Sequence, residues 1–497
     1  MMVQRSLLKV PMPSPSASLP PKLHAALLAL LGEGGVLTGA EVMAPYLADW
    51  RGLMQGHALA ALRPQDVATV SAIMRLAQQH HMPVVVLGGR TGLVGGGLPF
   101  GGLVISLEKL SHIRAVDSVN ATLTLEAGVT LQAAQEAAAE AGRLFPLSLA
   151  SQGSCTIGGN IATNAGGTAV LRYGSMRDLV LGLEVVLANG DILNALSSLR
   201  KDNAGYDLKS LFIGSEGTLG IITAATLKLF PKPQSRLTGY AGATSPAAIV
   251  ALFDRLRALC GERLTTFEIL PRFGVEIVLK HSLGARDPFS TPHAFYALFE
   301  LTAPEPDAPL AALITAALEA ALEAGEIADA TLAASEAQAQ AFWRIREALS
   351  ECQRYEGGSI KHDISVPISR IADFMVEVSA LCEAAMPGIR VCAFGHIGDG
   401  NLHFNLSQPI GMEKAAFLAE WVRFNTLVHD KVAAYHGSIA AEHGVGLFKR
   451  DALAHYKDAV AITLMKTLKR ALDPENILNP GKVVALEAGG PEFTLPP

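Results

Sequence analysis

In the N-terminal half of the chain, the hydrophobic residues first recur at helical spacing and then form short continuous runs. Apolar residues recur at helical spacing through residues 64–79, which predicts an amphipathic helix. The short apolar runs at residues 83–87 and 103–107 are typical of buried strands. The 15 residues between them, residues 88–102, contain eight glycines and no helical period. The pattern therefore predicts a strand, a glycine-rich loop and a second strand.

The C-terminal half carries longer helical patterns. Residues 234–390 are rich in alanine and leucine, which predicts helices around a strand at residues 295–301. Within residues 334–352 an apolar stripe at helical spacing indicates a helix that faces the core. A further helix is predicted over residues 458–472 and ends before Pro474, which cannot continue it.

Strand patterns occur in both halves. Residues 179–187 and 225–230 have the composition of strands, and residues 359–367 and 402–406 alternate as half-buried strands do. Because strands and helices are both frequent and do not repeat as regular βα units, we expect an α+β protein with a mixed sheet.

Composition narrows the class of protein. A chain of 497 residues, half of them hydrophobic, can build two or three domains with substantial cores. The net charge of −6 and the lack of a basic stripe argue against a nucleic-acid partner. The longest apolar runs are too short for a transmembrane span. Five cysteines without a CxxC pair favour a reducing compartment and no disulfide framework.

The first 21 residues have the composition of a tail. Residues 11–21 hold five prolines and three serines, which cannot build a core. We interpret this as a disordered tail of a bacterial cytoplasmic protein, with an organelle transit peptide as the alternative. The motifs described below divide the rest into predicted domains at residues 22–232, 233–450 and 451–497.

Three glycine-rich segments indicate a nucleotide site. The loop at residues 88–102 is followed by a strand, so it is neither a Rossmann fingerprint nor a P-loop. Its backbone N–H groups could bind a phosphate, or the segment could be a flexible hairpin. Residues 146–167 and 214–220 repeat the same glycine-rich chemistry. Three such loops in one domain favour an extended dinucleotide ligand over simple turns.

Two histidines and a glutamate form a candidate metal set. His396 and His403 flank a glycine-rich turn, and Glu442 follows 39 residues after His403. Two imidazoles and a carboxylate are common ligands of a catalytic divalent metal. Isolated histidines are more often structural, but two in one turn-strand unit are more specific. His403 and Asn405 would share one face of the strand.

A second group of residues could bind an anion. Trp343, Arg346 and Ser350 lie three and four residues apart on one predicted helix face. The alternative for Arg346 is a surface ion pair with Glu347 or a neighbour. Lys361 could likewise present a cation to a cavity, or pair with an acid on a solvated face.

The motifs together resemble a known superfamily. GGRTGLVGG, SCTIGGNIATNAGG, YGSMRDLVLGLEVVLANG and IGSEGTLGIIT make residues 45–232 similar to the FAD-binding domain of the vanillyl-alcohol oxidase (PCMH-type) superfamily. With the C-terminal motifs the resemblance covers about 430 residues. Within the superfamily the chain resembles FAD-linked D-lactate dehydrogenases, glycolate oxidase FAD subunits and D-2-hydroxyglutarate dehydrogenases.

The resemblance implies an α+β FAD-binding domain, a substrate domain and a C-terminal segment that returns to the flavin. The first loop lacks the histidine of covalent relatives, so we expect noncovalent FAD. Asn479 could reach the isoalloxazine, or instead cap the turn before Pro480. The predicted FAD contacts are Gly88, Gly89, Arg90, Thr91, Gly92, Leu93, Val94, Gly95, Ser151, Gly153, Thr156, Gly158, Gly159, Asn160, Thr163, Gly166, Gly217, Gly220, Ile222 and Asn479.

The resemblance also implies the metal and substrate residues. It assigns His396, His403 and Glu442 as metal ligands, for which zinc is favoured and iron is the main competitor. The segments WRIRE and KHDISVP resemble the substrate-binding segments of D-2-hydroxyglutarate dehydrogenases. The residues assigned to substrate are Arg346, Ser350, Lys361, Asn405 and His443.

These assignments imply FAD-dependent, metal-assisted oxidation of a D-2-hydroxy acid to the 2-oxo acid. His443 is the candidate base for the hydroxyl proton as hydride leaves for flavin N5. A metal and a second cationic site at Arg346 and Lys361 suit a diacid, D-2-hydroxyglutarate or D-malate, better than D-lactate or glycolate. The rivals are a non-oxidative flavoenzyme of the same fold and a catalytically silent oxidase subunit.

The sequence leaves the redox partner open. A quinone, a cytochrome, an electron-transfer flavoprotein or oxygen could accept the electrons. A homodimer is expected only from the habit of the family.

Overall fold

The computed structural model describes residues 18–50, 52 and 54–486. Residues 1–17 of the predicted tail lie outside that part of the chain. The chain forms two compact units. The first contains the described residues up to Ala165, then Ser175–Phe230 and the described residues from His443 onward. The second contains Gly166–Gly174 and Pro231–Glu442.

The first unit has two main sheets with different strand directions. In a four-stranded sheet, Leu103–Ser106 pairs in parallel with Ala60–Leu62 and with Val84–Leu87, and Val36–Leu37 joins antiparallel. Arg143–Leu144 and Phe230–Pro231 form a two-stranded sheet. A five-stranded antiparallel sheet has the order Ile113–Asp117, Thr122–Glu126, Ile221–Lys228, Val180–Val186 and Ile192–Ala195.

The helices of the first unit are mostly short. Those that the structure describes are Pro21–Leu31, Ala40–Met43, Val67–Gln79, Leu131–Glu140, Ile157–Ala162, Met176–Leu179, Lys209–Phe212, Arg450–Tyr456 and Ala459–Leu472.

The first long predicted helix is confirmed as Val67–Gln79. It starts later than the pattern suggested because Asp66 is its N-cap, and the Asp66 carboxylate accepts a hydrogen bond from the Thr69 N–H at 2.7 Å. Its buried face includes Val70 and Ile73, which belong to the same core cluster as the parallel strands.

The predicted strand, glycine-rich loop and strand are also confirmed. Val84–Leu87 and Leu103–Ser106 are neighbours in the parallel sheet, so the intervening residues form the crossover that parallel pairing requires. These residues contain no helix. The glycine-rich loop therefore joins two adjacent buried strands, which fixes both of its ends.

The second unit contains one eight-stranded sheet in which the recorded pairings are antiparallel. Its spatial order is Asp329–Leu332, Ser235–Ala243, Phe295–Ala303, Leu264–Pro271, Arg390–His396, Asn401–Ser407 and Ser359–Ile360, and Asp363–Ser365 also pairs with Asn401–Ser407.

The α-helices of the second unit are longer on average. They are Val170–Tyr173, Pro246–Cys260, Arg272–His281, Leu310–Glu323, Glu336–Cys352, Ile371–Ala385, Lys414–Ala419 and Trp421–Ala434.

The apolar stripe predicted in residues 334–352 is confirmed as core. Phe342, Ile345 and Leu349 are buried in one cluster with Tyr240, and the rings of Phe342 and Tyr240 are 5.4 Å apart. Ser335 caps the helix Glu336–Cys352 by accepting a hydrogen bond from the Gln338 N–H. One face of this helix is thereby held against the sheet.

The predicted strand at residues 359–367 is interrupted. Ser359–Ile360 and Asp363–Ser365 are separate strands, but both pair with Asn401–Ser407 in one continuous register. Ile360 and Ile364 are fully buried, as the alternation predicts. The polar face is less exposed than expected, since Asp363 is also buried.

The cysteines and the lengths of the helices bear on two expectations from composition. All five cysteines are buried and free, which agrees with the expectation of no disulfide framework. Among the described residues, no helix combines the length and the apolar character that crossing a membrane requires.

Candidate functional site

The first glycine-rich loop packs directly on the second within the first unit. A Cβ atom on Gly89 would lie 2.1 Å from the Ser154 carbonyl oxygen, and one on Gly88 would lie 2.4 Å from Thr156 Oγ1. A Cβ on Gly158 would lie 2.5 Å from the Ala127 Cβ. These glycines are therefore required by close packing between segments. The predicted loops at residues 88–97 and 151–163 are brought together.

The third glycine-rich segment and the C-terminal segment join this group. The Asn479 side-chain amide donates hydrogen bonds to the carbonyl oxygens of Gly96 at 3.0 Å and Glu216 at 2.7 Å. Asn479 thus ties two of the predicted FAD loops together, and its amide does not cap its own turn. Gly220 has a packing role, because its Cβ would lie 2.6 Å from Val185 Cγ1.

Two buried polar atoms in these loops have no protein partner among the described residues. They are Asn479 Oδ1 and Thr156 Oγ1, which belong to two of the segments predicted to hold FAD. Buried polar groups normally have a hydrogen-bonding partner. These atoms, together with the close glycine packing, fit a polar ligand such as FAD.

Two charged residues of the first unit were missed by the sequence analysis. The Glu216 carboxylate accepts hydrogen bonds from the N–H groups of Val445 at 2.7 Å and Gly446 at 2.8 Å. Burial raises the pKa of Glu216 to about 7. Lys482 is buried 5.3 Å from the Phe100 ring centroid, and burial lowers its pKa to about 7. The only sequence signals were that Glu216 lies in the glycine-rich segment at residues 214–220 and that Lys482 lies three residues after Asn479.

Gly166 is the one predicted FAD contact that falls in the second compact unit. The neighbouring Gly167 N–H donates to Glu442 Oε2 at 3.2 Å. A Cβ on Gly166 would lie 3.6 Å from the same oxygen. The structure therefore places this glycine beside a predicted metal ligand.

Strand register builds the candidate metal site in the second unit. His403 lies on Asn401–Ser407 and is directly opposite Asp363 on one neighbouring strand and Phe394 on the other. The His403 Nε2 and Glu442 Oε1 atoms are 3.6 Å apart. His403, Glu442 and Asp363 each offer a ligand atom within 4.8 Å of the others. His443 follows Glu442 directly and begins the last segment of the first unit.

Asp363 was missed as a site residue, although the alternation had placed it on the polar face of its strand. Its Oδ1 accepts a hydrogen bond from the Asn401 side chain, and its Oδ2 accepts one from the Glu442 N–H, both at 3.1 Å. Asp363 is only 3% exposed. It is therefore suited either to bind a cation or to hold Glu442 in place.

His396 lies next to this group. The turn after it ends at Gly400, whose φ of +84° favours glycine, and the next strand returns so that the rings of His396 and His403 are 5.6 Å apart. The two histidine rings are thus neighbours, but among the described residues His396 does not belong to the group whose ligand atoms lie within 4.8 Å of one another. His396 Nδ1 is 2.5 Å from Glu268 Oε1 on the adjacent strand Leu264–Pro271. Glu268 was missed by the sequence analysis.

The charged groups around His396 shift one another's pKa values. Burial would raise the pKa of Glu268, but Arg346 and His396 lower it to about 2. Burial would lower the pKa of His396, but Glu268 raises it to about 9. Burial keeps the pKa of His403 well below its usual value, so its imidazole is neutral. A neutral imidazole beside carboxylates fits a divalent metal such as zinc.

The predicted anion-binding residues occupy the same unit. Arg346 is buried, its Nε donates to Glu268 Oε2 at 2.6 Å, and its guanidinium lies 4.8 Å from the Phe394 ring centroid. The alternative of a surface ion pair with Glu347 is therefore wrong. Lys361 Nζ donates to the Ser350 carbonyl oxygen at 3.3 Å, which brings these two predicted residues together.

Two further polar side chains near these elements have protein partners. The Asn405 amide donates to Gln353 Oε1 at 3.0 Å and is buried. Trp343 Nε1 donates to Glu300 Oε2 at 3.3 Å. The Trp343 N–H thus has a structural partner, and its predicted place beside Arg346 and Ser350 at one ligand stays a prediction.

Comparison with known sequences decides the family. Residues 58–196 match the family described as FAD binding domain, and residues 232–483 match FAD linked oxidases, C-terminal domain. The chain belongs to the FAD-linked oxidases. The predicted FAD cofactor and the resemblance to this superfamily are thereby confirmed, whereas the identity of a metal is not addressed by the family.

Three relatives match this chain over most of their own length. D-2-hydroxyglutarate dehydrogenase of Xanthomonas citri pv. viticola is 41% identical, with 88% of this chain and 92% of the relative covered. The mitochondrial D-2-hydroxyglutarate dehydrogenase of Bos taurus is 38% identical, and the match covers 92% of this chain and 82% of the relative. A protein named as a putative mitochondrial D-lactate dehydrogenase of Schizosaccharomyces pombe is also 38% identical, and the match covers 88% of this chain and 84% of the relative.

Solved structures share the fold at low identity. A p-cresol methylhydroxylase with bound substrate has a TM-score of 0.73 at 18% identity, and covers 94% of this chain and 97% of its own. An alkyldihydroxyacetonephosphate synthase has a TM-score of 0.70 at 18% identity, and the match covers 93% of this chain and 86% of the synthase chain. These similarities support the predicted α+β fold of the PCMH type.

Proposed function

We propose that this FAD-linked oxidase dehydrogenates a D-2-hydroxy acid with the help of a divalent metal, and that its substrate is a diacid. D-2-Hydroxyglutarate and D-malate are the favoured substrates. Relatives that cover most of the chain are named D-2-hydroxyglutarate dehydrogenases, at 37–41% identity. The relative named as a D-lactate dehydrogenase makes a monoacid the second candidate.

The observation that carries the diacid proposal is the pairing of a buried guanidinium with the candidate metal group. Arg346 and His396 share the carboxylate of Glu268, and the His396 ring is adjacent to that of His403. A 2-hydroxy diacid has one carboxylate next to the hydroxyl and a second one farther away. The metal suits the first and the guanidinium suits the second.

His396, His403 and Glu442 would hold the metal, with Asp363 as a further ligand or as the support of Glu442. Bound FAD would supply a hydride acceptor, and a bound metal would make the substrate hydroxyl more acidic. Arg346 and Lys361 would orient the distal carboxylate. His443 is the proposed base for the hydroxyl proton, and its place directly after Glu442 keeps it close to a ligand in the chain.

Ser350 and Asn405 complete the proposed substrate group. Ser350 accepts a hydrogen bond from Lys361 through its backbone, which leaves its hydroxyl available to a carboxylate. The Asn405 amide is held by Gln353, so a substrate contact by Asn405 would use its remaining hydrogen-bonding capacity. Zinc as the metal, a quinone, cytochrome or electron-transfer flavoprotein as the acceptor, and a homodimer all remain predictions.

Steady-state turnover with an artificial electron acceptor tests the proposal. The FAD-loaded protein would be assayed with D-2-hydroxyglutarate, D-malate, D-lactate and glycolate. The proposal expects kcat/KM for a diacid to exceed that for both monoacids. A preference for D-lactate or glycolate would favour the second candidate. Substrate conversion that needs no acceptor would favour a non-oxidative flavoenzyme instead.

A further inference from the structure

Glu268 is a fully buried carboxylate with two charged neighbours. It lies on Leu264–Pro271 near the middle of the eight-stranded sheet and has 0% exposure. One oxygen lies 2.5 Å from His396 Nδ1, and the other accepts a hydrogen bond from Arg346 Nε at 2.6 Å. A buried ion of this kind is costly unless its partners compensate for lost hydration. Each oxygen of Glu268 thus has one of these two side chains as a partner.

The contact to His396 selects which ring nitrogen can bind a metal. Strand register places Glu268 directly opposite His396, so the backbone of both strands fixes the pair. With Nδ1 engaged by the carboxylate, Nε2 is the nitrogen that remains for a ligand. Metal-binding histidines commonly have such a carboxylate on their other nitrogen, where it sets the tautomer and the ring orientation.

The contact to Arg346 orients the candidate substrate cation in the same way. Glu268 binds the guanidinium through Nε, which leaves the two terminal nitrogens for a bidentate contact with another carboxylate. The Phe394 ring lies 4.8 Å from the guanidinium carbon and 5.1 Å from the His403 ring centroid. The guanidinium is thus held by one carboxylate and one aromatic ring.

We propose that Glu268 is a positioning residue that orients the metal-binding imidazole of His396 and the substrate-binding guanidinium of Arg346 together. A purely structural role would need only a well-packed side chain, since buried ion pairs are often replaceable by apolar residues. The inference rests on the proposed function for its substrate part. Its metal part depends only on the contacts of Glu268 and on zinc binding.

The decisive experiment measures zinc affinity in the FAD-loaded protein by competition with a chromophoric chelator. Glu268→Gln keeps the size of the side chain but replaces one of the two acceptor oxygens by an NH2 donor, so it cannot accept hydrogen bonds from both partners at their present positions. We expect its zinc affinity to fall about 10- to 100-fold relative to the parent. The matched control is Glu300→Gln, because Glu300 is a buried glutamate of the neighbouring strand that binds Thr238 and Trp343.

A second readout separates positioning from stability. The Glu268→Gln variant should raise KM for D-2-hydroxyglutarate more than KM for D-lactate, because Arg346 loses its support. Glu268→Asp keeps both oxygens but shortens the side chain by one methylene, and it should give an intermediate loss of zinc affinity. This variant also provides the test if Glu268→Gln does not fold.

The outcomes distinguish the inference from the proposed function. Zinc affinity within twofold of the parent in the folded Glu268 variants would overturn the inference, and so would an equal loss in Glu300→Gln. A parent protein that binds no zinc would overturn it as well. If no hydroxy acid reduces the parent flavin but zinc affinity falls only in the Glu268 variants, the substrate proposal fails and the positioning role stands.

Discussion

Arg346 receives its orientation from a carboxylate 78 residues earlier in the chain. The guanidinium is planar and carries donors on three nitrogens, so a contact at Nε determines where the other two nitrogens point. Glu268 makes that contact, and Phe394 packs against the guanidinium. At the residue scale, the proposed selectivity for a diacid depends on this fixed orientation.

Replacement of Arg346 by alanine should therefore remove the diacid preference. We expect Arg346→Ala to lower kcat/KM for D-2-hydroxyglutarate by about 10- to 100-fold, the equivalent of one or two charge-assisted hydrogen bonds. Steady-state kinetics would measure this change, with D-lactate as the reference substrate and flavin absorbance as the check for FAD. Arg344→Ala is the matched control, because Arg344 lies exposed on the same helix. Unchanged diacid kinetics in Arg346→Ala would contradict the assignment.

Glu356 allows a prediction about pH that is independent of the metal group. Hydrogen bonds from Lys280 and His281, with a further one from Arg390, lower the pKa of Glu356 to about 2. A depressed pKa in the folded protein contributes stability above the usual glutamate value of 4.5, and this contribution is lost as the pH falls from 4.5 towards 2.

Glu356→Gln should consequently lower the free energy of unfolding at pH 7 by about 1–3 kcal/mol, and by less at pH 3. Urea unfolding of the parent and the variant at both pH values would test this. Glu351→Gln, at an exposed position nearby, serves as the control. A loss of stability that is equal at pH 7 and pH 3 would show that the charge of Glu356 is not responsible.

Residue chemistry in the sequence indicated His396, His403 and Glu442 but not their partners. Glu268 stands in an apolar strand, and only the pairing of two distant strands places it opposite His396. Asp363 had a strand-like pattern around it, yet its role depends on lying opposite His403. Register between strands that are far apart in the chain cannot be obtained from local spacing. The sequence therefore did not indicate Glu268 and Asp363 as partners of the predicted residues.

At the scale of elements, the glycine-rich crossover at residues 88–102 is closely constrained within the FAD-binding unit. Its two ends are fixed by adjacent parallel strands, and its first glycines lie against the segment that contains Ser154 and Thr156. Close approach of two backbones needs residues without a Cβ. The crossover therefore has little tolerance for substitution at those glycines.

Gly89→Ala should weaken FAD binding. The added Cβ would lie 2.1 Å from the Ser154 carbonyl oxygen, so one of the two loops must move. We expect a reduced ratio of flavin to protein absorbance and a loss of stability of about 1–3 kcal/mol from overpacking. Gly34→Ala is the matched control, because nothing lies within 4 Å of its Cβ position. Full flavin content and unchanged stability in Gly89→Ala would contradict this account of the loop.

Most of these elements could be predicted because their patterns are local. Val67–Gln79, Glu336–Cys352 and Ala459–Leu472 each show helical spacing and a side-chain N-cap. Strand limits were less accurate: the strand predicted at residues 225–230 is part of a longer strand, Ile221–Lys228, which ends two residues earlier than predicted. Ile221–Lys228 is buried almost throughout, so polar and apolar positions do not alternate along it and cannot mark its limits.

At the scale of the whole molecule, each compact unit is assembled from separated parts of the chain. Gly166–Gly174 belongs to the second unit, and the chain returns to the first unit at His443. The sequence indicated continuous domains at residues 22–232, 233–450 and 451–497, because the motifs that define them follow one another along the chain. The C-terminal return is supported within the first unit by Asn479, which binds Gly96 and Glu216.

The most direct test of the central claim is anaerobic reduction of the bound flavin by D-2-hydroxyglutarate, with and without prior removal of metal by a chelator. We predict bleaching of the flavin absorbance by the metal-loaded protein, slower reduction by roughly 100-fold or more after chelation, and recovery when zinc is added. Flavin that D-2-hydroxyglutarate and D-malate do not reduce, even with added zinc, would contradict the diacid dehydrogenase. Reduction that is equally fast after complete metal removal would contradict metal assistance.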